Sequence, residues 1–249
     1  MTKRAIILSA GQGSRLLPLT ADRPKCLIDF SGRTLLDWQL DMLIAAGVDD
    51  ITVVTGFREE MVAARIAARD DTACVTTLFN PFYKVADNLG SVWLARALMD
   101  RPFLILNGDT LVSAEIVDRV LAAPDAAIRV TVDVKPAYDL DDMKVKRDGD
   151  RLLDIGKRLT AEESNAESIG FLRFNTDGAA RFRREVERMM HSSEGTLSWY
   201  LRAIHHIAAD PASEVHVTSI EGLEWGEVDF PDDVIVGNRL TAGWVAKGR

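Results

Sequence analysis

The stretch Leu8-Ser9-Ala10-Gly11-Gln12-Gly13-Ser14-Arg15-Leu16-Leu17-Pro18-Leu19-Thr20, continuing through Ala21-Asp22-Arg23-Pro24-Lys25, decides how this chain is read. It follows the apolar run Ala5-Ile6-Ile7-Leu8, which with Arg4 and Ser9 reads as a buried strand. Glycines directly after a strand let backbone N–H groups approach phosphate oxygens with no Cβ in the way. Arg15 and Lys25 add fixed positive charge to the same loop. Two phosphate-binding patterns fail here. A P-loop needs Gly-Lys-Ser/Thr after four intervening residues, which the chain lacks, and the dinucleotide fingerprint wants Gly or Ala where Leu16 stands, with a helix starting at once. Pro18 and Pro24 instead keep the segment as an ordered loop.

Outward from this loop, strands and helices alternate. Thr34–Ala46 carries Leu36, Leu40 and Leu43 at helical spacing and stops at Gly47. Ile51–Gly56 reads as a strand, Glu59–Arg69 as a helix and Cys74–Leu78 as a third strand. Asn88 suits the N-cap of a helix running to Met99, and the apolar strand at Phe103–Leu106 ends in Asn107-Gly108-Asp109. This order implies an α/β fold: a Rossmann-like mixed, mostly parallel sheet with helices on both faces. The second half changes character. Asp142–Lys157 reads as a hairpin turning at Asp148-Gly149, Ser168–Phe174 as a strand, and Thr176–His191 and Thr196–Ala208 as helices. Strands at Glu214–Ile220 and Leu223–Asp229 precede a terminal helix opened by Pro231. Residues 1–249 are expected to form one body, with a nucleotide-binding half over about 1–134 and a small acceptor-binding half plus terminal helix over about 135–249.

The bulk properties bound the function. With 47% hydrophobic and 27% charged residues the composition is globular. A net charge of −8 gives no footprint for nucleic acid, so a negatively charged substrate needs a local cluster of cations. Cys26 and Cys74 make neither a disulfide framework nor a metal pair and read as thiols of a reducing cytoplasm. The apolar run after Met1-Thr2-Lys3-Arg4 is too short for a signal peptide, and no stretch approaches the roughly 18 apolar residues of a membrane span. A cytoplasmic protein is expected, and a homodimer is compatible with the sequence.

Carboxylates supply the second half of the chemistry. Asp109 lies just past the carboxyl end of a buried strand, where open α/β sheets place their ligands. In Trp225-Gly226-Glu227-Val228-Asp229, strand alternation puts Trp225, Glu227 and Asp229 on one face. Carboxylates gathered beside a polyphosphate suit Mg²⁺, which takes hard oxygen ligands. A plain helix cap is the other reading of Asp109. The histidines at 191, 205, 206 and 216 show no ligand spacing tied to this site.

With these residues in view, the chain resembles the sugar-phosphate nucleotidyltransferase superfamily, whose signature is G-x-G-[ST]-R-x-x-P-x-T-x-x-x-P-K. The similarity runs to about Asp233 and implies the nucleotide-diphospho-sugar transferase type of fold. It also implies transfer of a nucleoside monophosphate from a nucleoside triphosphate to a small phosphorylated acceptor, with release of pyrophosphate. The resemblance places the triphosphate on Gly11, Gly13 and Arg15, and Lys25 at the reacting centre. It puts Mg²⁺ on Asp109 and Asp229, with Glu227 as a candidate third ligand, and the acceptor phosphate on Lys157. Leu8, Ala10, Ser14, Asn88 and Ser91 complete the expected nucleotide contacts. No protein nucleophile is required.

Within the superfamily, the segments Asp141-Asp142-Met143-Lys144, Gly156-Lys157, Glu167–Phe171, Trp199-Tyr200 and Trp225–Asp229 resemble bacterial phosphocholine cytidylyltransferases and their aminophosphonate-using relatives. Where sugar-1-phosphate enzymes read Gly-Thr-Ala and Asn-Ala-Gly, this chain has Asn88-Leu89-Gly90-Ser91 and Ser168-Ile169-Gly170. CTP is therefore the favoured nucleotide. A cationic head group would want aromatic faces and carboxylates. Tyr138, Asp141, Asp142, Glu167 and Trp225 are the expected acceptor contacts, with Trp199 and Tyr200 as further aromatics. A sugar-1-phosphate nucleotidyltransferase is the competing enzyme reading. A non-catalytic nucleotide sensor is disfavoured by the presence of Arg15, Lys25, Asp109 and Asp229. After Asp233 no hexapeptide repeat follows, so no attached acyltransferase is expected.

Overall fold

The computed structural model describes residues 2–71 and 74–248. In chain order the elements are β1 (Arg4–Ser9), β2 (Asp29–Phe30), β3 (Arg33–Thr34), α1 (Leu35–Ala45), β4 (Asp50–Thr55), α2 (Glu59–Ala67), β5 (Val75–Phe79), α3 (Asn88–Leu94), β6 (Phe103–Asn107), β7 (Thr110–Val112), α4 (Ala114–Ala122), β8 (Ile128–Asp133), β9 (Lys144–Asp148), β10 (Arg151–Ile155), β11 (Ala166–Phe174), α5 (Thr176–Met190), α6 (Leu201–Ala208), β12 (Val215–Ser219), β13 (Trp225–Glu227) and α7 (Pro231–Ala246). One nine-stranded mixed sheet in the order β5-β4-β1-β6-β11-β8-β12-β10-β9 runs through both halves of the chain. Its first four strands are parallel, as the alternation of strands and helices requires. From β11 outward the pairings are antiparallel except β12 on β8. The antiparallel share is larger than the sequence pattern indicates, because β11 returns directly alongside β6.

Apolar side chains leave both faces of this sheet, which is why β1 and β6 read as unbroken hydrophobic runs. On one face Leu36, Leu40 and Leu43 of α1, Ile116 and Val120 of α4 and Trp244 of α7 pack over Ala5, Ile7 and Leu104. On the other, Leu89 and Val92 of α3, Phe182 and Val186 of α5 and Ile204 of α6 cover Ile6, Phe103 and Ile105. Phe103 and Phe174 stack at 4.5 Å across β6 and β11, tying the two halves at the centre of the sheet.

Local departures from the sequence expectations have identifiable causes. Asp87, not Asn88, caps α3, and the Asn88 side chain instead accepts the Tyr200 backbone N–H. The helix expected from Thr196 starts at Leu201, after a short 3₁₀ turn at Gly195–Leu197. Ser198 between them spends its hydroxyl on Glu194 O. Among the described residues, no helix is long and apolar enough to cross a membrane.

Candidate functional site

The site lies where the carboxyl ends of β1 and β6 meet. Beyond β1 the chain turns at Gly13, whose φ of 80° is left-handed backbone that favours glycine, and enters a 3₁₀ turn at Ser14–Leu16. The Thr20 hydroxyl donates to Gly13 O at 2.8 Å and Gln12 Nε2 to Thr20 O at 3.0 Å, so the loop is braced across its own base. Beyond β6, the short ribbon of β7 on β13 pairs Thr110 with Glu227, and the Val228 N–H donates to Asp109 O at 2.9 Å. That ribbon brings Asp109 to Glu227 and Asp229, 118 and 120 residues later in the chain as their numbers show. Asp229 itself lies past the strand. Its backbone N–H donates to the Asp233 carboxylate in the first turn of α7, so the helix start, rather than strand alternation, sets its position.

The three carboxylates offer oxygens that all lie within 4.8 Å of one another. Hard oxygen donors at this spacing fit a divalent cation of the Mg²⁺ kind. Lys25 Nζ reaches into the same group, 2.9 Å from Asp109 and 2.7 Å from Asp229. Burial works against its charge, yet the two aspartates hold the ammonium above the usual lysine range. Arg15 closes the far side, 2.6 Å from Asp229 and 3.6 Å from Asp141, with its guanidinium 4.9 Å over the Phe230 ring. Burial alone would raise the Asp229 carboxyl, but Lys25, then Arg15 and Lys157, hold it below the usual carboxylate range. Glu227 goes the other way. Its surface is open to solvent, but the surrounding cleft walls, and then Asp109 and Asp229, push its carboxyl up to about 8 against Lys25 and Lys157. Glu227 therefore keeps an unfavourable charge environment between Asp109 and Asp229, which a bound cation would relieve.

Leu8, Gly11, Gly13, Lys25, Asn88 and Asp109 line one cleft of about 190 Å³, together with Ser9, Cys26, Asn107 and Gly108. Ala10 is buried beneath it, and Ser14 is exposed on the loop. Ser91 is buried and its hydroxyl accepts from Asn80 Nδ2, so the structure does not bring it to the cleft wall. Lys157 faces Glu227 and Asp229 and sits 4.8 Å over the Trp199 ring. Tyr200 is a core residue. It is fully buried and donates its hydroxyl to Asn107 Oδ1 at 3.1 Å, under the cleft floor. Gly170, at φ 73°, leaves room there, since a Cβ would stand 2.3 Å from Asn107 Nδ2.

Beside β8, Trp225 Nε1 donates to Asp133 at 2.8 Å, and Tyr138 lies in the field of Glu167 and Asp133. Asp142 and the buried Glu167 both hold Lys135, a residue that sequence reasoning does not single out. The same is true of Asn107 and Asp133. Asp133 is the last residue of β8 and Lys135 lies just past it, so no strand periodicity in the sequence marks Lys135. His205 and His206 pair with Asp154 and Glu185, neither of which lines the cleft.

The sequence pattern of the Nucleotidyl transferase family matches residues 4–142. A Campylobacter jejuni protein named CTP:phosphoglutamine cytidylyltransferase is 23% identical over 93% of this chain and 98% of its own length. A Streptomyces rubellomurinus protein named CMP-5'-(3-aminopropyl)phosphonate synthase is 29% identical over 92% of this chain, which spans 37% of that protein. Among solved structures, the CTP:phosphocholine cytidylyltransferase of Streptococcus pneumoniae aligns with a TM-score of 0.77 at 18% identity, covering 97% of this chain and 100% of that one. That likeness confirms the fold.

Proposed function

The chain belongs to the Nucleotidyl transferase family, and on that footing we propose that it transfers CMP from CTP to a small phosphorylated acceptor of the amino-alcohol phosphate or aminophosphonate class. Phosphocholine, phosphoethanolamine and short aminophosphonates make up this acceptor class. An oxygen of the acceptor's phosphate or phosphonate attacks the α-phosphorus in line, the bond to the bridging oxygen breaks, and pyrophosphate leaves with its electron pair. The observation that carries this reading is the convergence of Lys25 with Asp109, Asp229 and Glu227 at the mouth of the glycine loop.

Mg²⁺ held by Asp109, Asp229 and Glu227 would neutralise phosphate charge. Backbone N–H groups at Gly11 and Gly13 and the Arg15 guanidinium receive the triphosphate. Lys25 acts on charge that develops at the α-phosphate, and Lys157, across the carboxylates, binds the acceptor phosphate. Leu8, Ala10, Ser14 and Asn88 form the nucleotide side, and Ser91, buried against Asn80, stays behind the cleft wall. Tyr138, Asp141, Asp142, Glu167 and Trp225 form the acceptor side.

A screen of four nucleoside triphosphates against phosphocholine, phosphoethanolamine, 2-aminoethylphosphonate, glucose-1-phosphate and mannose-1-phosphate, read as pyrophosphate release, tests the assignment. CTP with an amino-bearing acceptor should exceed either sugar phosphate by on the order of 10³ in kcat/KM, because a neutral sugar leaves charged pocket groups unmatched. Comparable rates with the hexose phosphates would overturn the acceptor class and leave nucleotidyl transfer standing.

A further inference from the structure

Lys135 stands two residues beyond β8, and its Nζ lies 2.8 Å from both Asp142 and Glu167. Glu167 belongs to β11 and Asp142 to the loop before β9, so the ammonium joins two separate walls of the acceptor side. The Glu167 side chain is 5% exposed and that of Asp142 15%, whereas Lys135 keeps 29%. Two carboxylate oxygens at this distance from one nitrogen form the cradle of an N–H-donating ammonium. A quaternary ammonium has no N–H and cannot approach as closely. Tyr138 and Asp133 flank the cradle, and Trp225 reaches it through Asp133.

Resting on the acceptor reading above, we propose that Lys135 is a specificity-determining residue: its tethered ammonium occupies the cradle between Asp142 and Glu167 that a primary-amine head group of the acceptor takes over on binding. Lys135 is an intramolecular competitor. It keeps a buried carboxylate paired when no acceptor is bound, and an unpaired one would be costly. It offsets part of the gain of an incoming ammonium, which must displace it, while a head group without N–H donors leaves it in place. A neutral hydroxyl gives no charge-assisted contact in exchange, and a trimethylammonium gives no hydrogen bond. The site therefore favours primary amines over quaternary ones.

The experiment compares phosphoethanolamine with 2-hydroxyethyl phosphate, which differ only in ammonium against hydroxyl. In Lys135→Met the competitor is gone, and the ratio of kcat/KM for phosphoethanolamine to that for 2-hydroxyethyl phosphate should rise about tenfold or more over the wild-type ratio. The double variant Lys135→Met/Glu167→Gln should bring it back down, because half the cradle's charge is lost. A second measurement needs no turnover. With Mg²⁺ and a non-hydrolysable CTP analogue present, phosphoethanolamine should raise the unfolding temperature of Lys135→Met more than 2-hydroxyethyl phosphate does. If Lys135→Met changes both acceptors by the same factor, or both stabilise it equally, the proposal is overturned. If the wild-type chain turns over no phosphorylated acceptor with CTP, the acceptor reading fails, and the unfolding comparison still decides the role of Lys135.

Discussion

Replacing Lys25 by methionine keeps most of the side chain's volume and removes the cation that bridges Asp109 and Asp229, at 2.9 and 2.7 Å. Two effects follow, and they separate by what is added to the protein. Without divalent ion, two carboxylates beside Glu227 lose their shared partner. Breaking a buried pair by removing one member costs about 3–5 kcal/mol, and the open side of this cleft places the loss near about 3 kcal/mol. For a chain of this length that is a fall of roughly 6–12 °C in unfolding temperature. Added Mg²⁺ should recover most of it, since the vacated carboxylates gain a cation, and it should stabilise Lys25→Met more than it stabilises the wild type. Catalysis should not recover. Loss of a donor aimed at developing charge typically lowers kcat by about 10²–10³. Differential scanning fluorimetry in EDTA and in Mg²⁺ reads the first effect, and steady-state pyrophosphate release with both substrates varied reads the second. A kcat within about threefold of wild type, with only the acceptor KM raised, would show Lys25 to be a ground-state binding group. Equal Mg²⁺ stabilisation of both proteins would refute the shared use of the carboxylates.

Three further outcomes follow from the same geometry. Asp109→Asn and Asp229→Asn should each lower turnover by about 10³ or more at saturating Mg²⁺ while leaving the circular dichroism spectrum unchanged, and near-normal turnover in either would remove that residue from the metal set. Enclosure of Glu167, opposed by Lys135, pushes its carboxyl up from 4.5 to about 7. The folded state then holds this proton more tightly than the unfolded chain between those values, so its contribution to stability falls as pH rises through that window, by up to about 3 kcal/mol. Glu167→Gln should flatten this slope in urea midpoints measured at pH 5 and pH 7.5, and an unchanged slope would contradict the assignment. Gly170→Ala forces a Cβ to 2.3 Å from Asn107 Nδ2 at a φ of 73°, and should lower the denaturant-derived stability by about 2–4 kcal/mol. A loss under about 1 kcal/mol would mean the cleft floor yields easily.

What the sequence made legible follows from how local each cause is. β1 and β6 are visible because strands covered on both faces need unbroken apolar runs, and the glycine loop because its residues are contiguous. Asp109 and Asp229 could be proposed together because Asp109 follows a buried strand, Asp229 ends another, and the family resemblance gives both to the metal. That they meet depends on the three-residue ribbon of β7 on β13 and on Asp233 at the start of α7, which no local pattern announces. Asn88 satisfies the rule for an N-cap, but Asp87 takes the position and releases Asn88 to hold Tyr200 from 112 residues away. The carboxylates Asp142 and Glu167 were readable as acids. Their pairing with Lys135 was not, because it joins the stretch after β8 to β11 and to the loop before β9, three segments that meet only in the folded sheet.

The fate of the α-phosphorus decides whether this chain transfers CMP to a phosphorylated acceptor. The protein is incubated with CTP labelled at that phosphorus, Mg²⁺ and phosphoethanolamine, and the products are separated and weighed by mass spectrometry. The label should appear in a CDP-linked ethanolamine, with one unlabelled pyrophosphate released per product and none formed in EDTA. Label recovered only as free CMP would mean that water, not an acceptor phosphate, is the nucleophile. Label remaining in CTP with every phosphorylated acceptor of the screen would refute nucleotidyl transfer by this chain.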